Sequence, residues 1–283
     1  MPHIAISIAM CVGFVAPRVV PFRQRALAHA APMMSSAIDL AAVQTACLAK
    51  IEAAFPLNAR DFAASLDCAS WSSGAASGEV VGFAGEPKLG WVSRSVTTAK
   101  SGAVHAELTA WVAPAFDLPH LYQTLSLADG RLSLTLDSVS RVDLTSDAQY
   151  LEQYYLSTLP WYEGIRASAP GATDAPPPDV FMRLLRSPMV LSLSLSDSPE
   201  SLAAVTRACE EATERWVGWW QGAKEVNRMK VGALFVRDTK QHRMRFQSHT
   251  DVLKAIGVDS ELAERVAQAI VGPGDEQYVG GAS

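Results

Sequence analysis

The chain has 283 residues, of which 49% are hydrophobic and 19% charged, and its formal charge is −5. That apolar share, with seven Trp, nine Phe and six Tyr, supports a sizeable core and excludes wholesale disorder, while the acidic balance excludes a generally basic nucleic-acid binder. The four Cys (Cys11, Cys47, Cys68, Cys209) form no C-x-x-C pair, which argues against a zinc ribbon, an iron–sulfur site or a disulfide-stapled module.

Ile4 to Ala16 form an apolar run of 13 residues, too short to span a bilayer. It is closed by Pro17 and followed by Arg18, Arg23 and Arg25, with no acid before Asp39. The order Gly13-Phe14-Val15-Ala16-Pro17-Arg18, an apolar run leading to Phe and then a basic stretch, resembles the bipartite leaders of algae with complex plastids. Residues 1–35 are therefore expected to be a plastid-targeting leader delivering the protein to the stroma, with an ordinary mitochondrial presequence or a frayed N-terminus as the alternative. Its removal takes away three Arg and no acid, changes the charge from −5 to −8 and leaves three Cys, an odd number suited to free thiols in a reducing compartment. No later stretch is apolar for long enough to span a membrane.

Ser35-Ser36 can cap a helix in which Ile38, Leu40, Val43, Cys47, Ile51 and Phe55 recur at helical spacing up to Pro56. Residues 69–90, rich in Ser, Gly and Ala, are expected to be loop with a weak strand at Val80–Phe83. Trp91–Thr98 and Val104–Val112 are expected strands, and in the second His105, Glu107 and Thr109 alternate with Ala106, Leu108 and Ala110. Asp117-Leu118-Pro119 predicts a helical or turn segment through Leu127, and Asp129-Gly130 a tight turn. Leu132, Leu134, Leu136 and Leu191, Leu193, Leu195 give two strands with one apolar face, as in an antiparallel sheet partly covered by helices. Helices are predicted over 147–158, 200–222 and Ser260–Val271, strands over 231–236 and 243–247, and a surface loop over Ala167–Asp179. The sum is an α/β fold, an α/β/α sandwich with a central, mainly antiparallel sheet, occupying 36–272 as one domain, with 273–283 as a flexible tail.

No GxxxxGK[ST], GxGxxG, HExxH or GxSxG motif occurs, and the six His have no metal-ligand spacing, so no metal site is expected. The run LTLDSVSRVDLTSDAQYLEQYY (Leu134–Tyr155) resembles the central segment of red chlorophyll catabolite reductase through Leu136-Asp137, Arg141, Asp143-Leu144, Tyr150-Leu151 and Tyr155. Phe181, Arg183, Leu185 and Ser187-Pro188 match the family's F-x-R-x-L-x-S-P, and Gly218 with Trp220 its G-x-W. His105–Pro119, a strand leading to Asp117-Leu118-Pro119, is similar to the wider ferredoxin-dependent bilin reductases. The resemblance covers about residues 100–271. It implies an α/β/α sandwich holding an open-chain tetrapyrrole between the sheet and the C-terminal helices. It also implies electrons supplied by ferredoxin and no redox cofactor bound to the chain; a homodimer is compatible with it.

Such chemistry asks the protein to bind the conjugated pigment, exclude water and place proton donors. The resemblance makes Glu107 the candidate donor, its pKa expected to be raised in a desolvated pocket, with His120 beside it. Plant enzymes have acids at the positions that register with Thr124 (or Gln123) and with Gly222 (or Gln221); here both are lost, and Thr124 is expected to order a water instead. Arg183, with Arg186 as an equal candidate, and Arg237, Arg243 and Arg245 are candidates for pigment propionates. Lys240 and His242 complete a local basic run that could instead steer an acidic ferredoxin or be a solvated strand edge. Trp220 is the candidate pigment platform, with a core position as the alternative. Asp137, Arg141 and Asp143 are expected to fix the loop after their strand. Two other readings stand beside red chlorophyll catabolite reduction: a bilin reductase acting on a biliverdin-like pigment, and a non-catalytic tetrapyrrole-binding or chaperone protein.

Overall fold

The computed structural model describes residues 34–169, 171–175 and 180–273, with side chains from Leu40 onward. Residues 1–33 of the expected leader, 274–283 of the expected tail, and residues 170 and 176–179 of the expected Ala167–Asp179 loop lie outside the described residues. The first helix, α1 (Met34–Ala54), is followed by β1 (Asn58–Ala59), the short α2 (Phe62–Ser65) and β2 (Ser70–Ser72). Five long antiparallel strands come next: β3 (Ala76–Gly85), β4 (Leu89–Ala99), β5 (Val104–Val112), β6 (His120–Ala128) and β7 (Arg131–Val139). Then come α3 (Ala148–Tyr154), α4 (Leu159–Ser168), β8 (Thr173–Asp174), α5 (Val180–Leu185), β9 (Leu191–Ser196), α6 (Pro199–Trp219), α7 (Arg228–Ala255) and α8 (Ser260–Val271).

Among the described residues all strands join one antiparallel sheet in the order β1-β3-β4-β5-β6-β7-β9-β8, with β2 added to β3. From β3 to β7 neighbouring strands follow one another in sequence. At the β6–β7 hairpin Asp129 and Gly130 both take positive φ (51° and 69°), the two-residue geometry that matches strand twist. The helices take two sides. α1 and α6 pack on each other and on β4–β7, burying Leu40, Val43, Ile51, Val205 and Trp216 against Leu108, Leu125, Leu134 and Leu193. On the other face α8 packs against β3 and β4, and α7 against α5 and α8. The expected α/β/α sandwich is the architecture observed. Helix starts follow their caps: Ser198 Oγ accepts from Ser201 N at 3.2 Å, Asn227 Oδ1 from Lys230 N at 3.0 Å and Asp259 Oδ1 from Leu262 N at 3.0 Å. Among the described residues no helix is long and apolar enough to cross a membrane.

Three expectations about elements are overturned. Residues 69–90 contain β2 and the ten-residue β3 rather than loop. The low side-chain volume there has a packing reason: a Cβ on Gly82 would strike the ring of Trp91, and one on Gly78 would strike Trp71. Residues 120–127 are strand, not helix or turn; Asp117-Leu118-Pro119 marks the bend before β6, which is held on both edges by β5 and β7. The two strands expected at 231–236 and 243–247 are one helix, the 28-residue α7. Its apolar run Val231–Val236 buries only Leu234 fully, a one-sided pattern that fits a helix and not a two-sided strand.

Candidate functional site

The alternation of β5 sends Ala106, Leu108 and Ala110 into the core under α1 and α6, and Glu107 with Trp111 towards α7. Register then brings Thr124 on β6 opposite Glu107, Tyr122 opposite Thr109, and Asp137 on β7 opposite Tyr122. The polar positions of three strands thus lie side by side under α7. Gln123 points the other way, its Nε2 donating to Cys209 O and Thr213 Oγ1 of α6, so Thr124 is the member of that pair on the polar face.

Glu107 is 1% exposed. Arg245 Nη2 donates to its Oε1 at 2.5 Å, and His249 Nε2 lies 3.3 Å from the same oxygen. His105 Nε2, on a half-exposed ring, is 3.8 Å from Oε2. The Arg245 guanidinium sits 5.0 Å from the Trp111 ring and 5.1 Å from Tyr122, so its flat faces are covered. Burial pushes the Glu107 carboxyl up, but the His249 and Arg245 charges outweigh it, holding the group well below its ordinary range. The expected raised pKa is therefore corrected: Glu107 is a carboxylate at neutral pH, because its cations arrive from a helix far along the chain.

His120 is buried and its protonation follows from its partners. Val112 N donates to Nδ1 at 3.0 Å, so the ring proton sits on Nε2 and is donated to Asp238 Oδ1 at 3.0 Å. Burial lowers its pKa to about 4; Asp238 works against that shift and Arg141 adds to it, so the ring is neutral at pH 7. Arg141 holds both oxygens of Asp238, by Nε at 3.0 Å and Nη2 at 2.5 Å, and its Nη1 donates to the Phe116 carbonyl. This His120–Asp238–Arg141 network ties α7 to β6 and to the loop after β5. Asp143 is exposed and closes its own turn, accepting from Thr145 N at 2.9 Å. The carboxyl that burial does raise is Asp137, to about 6, although Ser187 N (3.0 Å) and Ser187 Oγ (2.5 Å) donate to it.

Of the expected pigment-binding residues the structure brings one to Glu107. Arg245 is buried beside it, whereas Arg237 and Arg243 stand on the exposed side of α7 and Arg183 is exposed on α5. The single basic strand edge is thus corrected to a helix that points its cations in different directions. Trp220 belongs to the opposite core, 5.3 Å from Phe55 and 5.2 Å from Phe116, and is no platform on the Glu107 face. Asp238, Gln241 and His249 were missed as site residues. With Arg245 they form a stripe at helical spacing (238, 241, 245, 249) that the strand reading of 243–247 hid.

α7 lies over this layer. Arg245 and His249 of α7 cover Glu107, and the neighbouring cavity lined by Trp111, Phe235, Asp238 and His242 has about 30 Å³, room for water and not for a pigment. Several buried polar atoms of the layer have no hydrogen-bond partner: Glu107 Oε2, Arg245 Nε, Gln241 Oε1, Thr250 Oγ1 and Trp111 Nε1. Among the described residues no group of three His, Cys, Asp or Glu could hold a metal ion. Cys47, Cys68 and Cys209 are buried free thiols.

The sequence matches no family profile and no curated protein. Its fold is similar to a solved structure of phytochromobilin synthase from tomato in complex with biliverdin, with a TM-score of 0.63 and 16% identity over 81% of this chain and 83% of that chain.

Proposed function

We propose that this chain binds a linear tetrapyrrole between the polar face of the sheet and α7 and reduces it with single electrons from reduced ferredoxin. The proposed substrate is red chlorophyll catabolite, in a complex plastid; a biliverdin-like pigment is the alternative. The observation that carries the reading is the buried charged layer around Glu107, Arg245 and His249, with unpartnered polar atoms. Such a layer costs stability that an apolar interface would not, so its presence asks for a use. Two likenesses support the reading: the fold shared with phytochromobilin synthase, solved with biliverdin, and the Leu134–Tyr155 segment that resembles red chlorophyll catabolite reductase.

Binding requires α7 to move, and its seam suits that. Of its six buried residues, Gln241, Arg245, Ser248 and Thr250 are polar and only Leu234 and Leu253 apolar, so polar contacts hold most of this seam. A pigment propionate is a natural partner for the planar Arg245 fork. When Arg245 turns to the propionate, Glu107 loses one of the cations that hold its carboxyl down, and its affinity for a proton rises. Half-exposed His105, 3.8 Å away, links Glu107 to solvent. Each electron is then followed by proton transfer from Glu107 or from a water on Thr124, while neutral His120 keeps the loop after β5 in place. Arg237, Lys240 and Arg243, at spacing i, i+3, i+6 on the exposed side of α7, would steer an acidic donor.

The second reading, a tetrapyrrole binder without turnover, is favoured by the closed position of α7 and the ionised Glu107. Anaerobic mixing with red chlorophyll catabolite or biliverdin, reduced ferredoxin and a regenerating system separates the two. Turnover is the expected result, and Glu107→Gln should slow it by ~10²-fold or more. A shifted pigment spectrum without turnover leaves the binder, and no shift with either pigment removes both readings.

A further inference from the structure

Across the sheet from Glu107, a cleft of about 230 Å³ opens between α4, α6 and the strands β7 and β9. Leu134, Leu193 and Leu195 form its floor, Ile165 and Val205 its sides, and Trp161 stands at its rim. Interiors are close-packed, and an apolar cavity of ~150 Å³ is already enough to take up benzene.

Two features distinguish this space from loose packing. Gly164 lies in the middle of α4, where glycine costs about 0.5–1 kcal/mol relative to alanine. A Cβ there would meet nothing within 4 Å, so no crowding demands the glycine; it leaves the cleft open. From α6, Ala204 and Ala208 present only methyl groups to the same space. The second feature is charge. Arg207 is exposed at the mouth and makes no ion pair among the described residues. Glu211 also lines the cleft, but its Oε2 accepts from Trp161 Nε1 at 2.6 Å, and the Arg215 guanidinium covers that indole at 4.8 Å. The acid is thus tied to the wall and flanked by a second cation, leaving the mouth positive.

We infer that this cleft binds a small amphipathic anion, with an apolar body of about eight to ten carbons on the leucine floor and a carboxylate at Arg207. The space is too small for an open-chain tetrapyrrole, so the site is separate from the one beside Glu107 and independent of its chemistry.

Calorimetric titration of the full chain with octanoate, octanol and octylammonium tests this directly. Saturable one-to-one binding of octanoate is expected, at least about tenfold tighter than octylammonium. Arg207→Gln should erase that preference while octanol binding persists. Gly164→Phe should fill the cleft and abolish binding of all three; Ala204→Leu fills it from the other wall and serves where the first variant lowers Tm. Absence of saturable binding, equal affinity for octanoate and octylammonium, or undiminished binding in the folded cleft-filling variants would overturn the assignment.

Discussion

Along β5, Ala106, Leu108 and Ala110 turn towards α1 and α6, while Glu107 and Thr109 turn towards the helices on the other side, and all five are buried. The first face meets its helices mainly through leucines, valines and the Phe55–Trp216–Trp220 cluster, with Gln123 the polar exception. The second meets α7 through Glu107–Arg245 and His120–Asp238–Arg141, and the turn after α5 through Asp137–Ser187. Equal burial therefore carries different energetics: hydrophobic transfer stabilises one interface, and paired charges, whose desolvation offsets most of their attraction, specify the other. A helix held by the second kind of seam can leave at less cost than one held by the first, which is why the proposed pigment site is placed there.

The contrast can be broken most sharply at Arg245. Arg245→Ala strands the Glu107 carboxylate in the interior and should cost about 3–5 kcal/mol by urea unfolding at pH 7. Replacing Glu107 and Arg245 together by leucine should cost less than Arg245→Ala alone; a larger loss would mean the ion pair stabilises the fold outright. On the apolar face, Leu108→Ala should cost ~2–4 kcal/mol whatever the pH, through lost transfer energy and a cavity.

The pH dependence belongs to the polar face alone. Asp137 has a folded pKa of about 6 against an ordinary 3.8, so the native state holds its proton more tightly than the unfolded chain; stability from this site is present below about pH 4 and lost as pH rises to 6. His120 has a folded pKa of about 4 against 6.5, so its contribution is full above pH 6.5 and lost as pH falls to 4. Each amounts to about 3 kcal/mol, and the two slopes oppose each other. Asp137→Asn should leave stability rising with pH between 4.5 and 6, and His120→Gln should leave it falling; unfolding free energies with unaltered slopes would refute both attributions. The smallest effect is expected at the exposed Lys50–Glu214 pair (2.7 Å) joining α1 to α6, where Lys50→Ala should cost less than ~1 kcal/mol and less still at high salt.

Legibility in the sequence followed the range of the interactions involved. The leucine alternation of β7 and β9, the polar and apolar sides of β5, the Asp129-Gly130 turn and the bounds of α8 were all readable, because periods of two and 3.6 and turn chemistry are local. β3 was not, since its glycines answer to Trp71 and Trp91, which lie on other strands. α7 was misread because its inward stripe is polar, so the apolar pattern that announces a surface helix is missing. The error carried into the site. Read as a strand, 243–247 made a basic edge; as a helix it buries Arg245 and leaves Arg243 outside.

The sequence by itself determined that β5 has a polar side carrying Glu107, that His120 follows soon after that strand, and that helices enclose an antiparallel sheet. The tertiary structure decided their chemistry. The cation on Glu107 comes from 138 residues further along the chain, and the carboxyl with the raised pKa is Asp137 rather than Glu107. A pKa is set by the charges and solvent within a few ångströms, and that neighbourhood exists only once β5, β6, β7 and α7 are packed together.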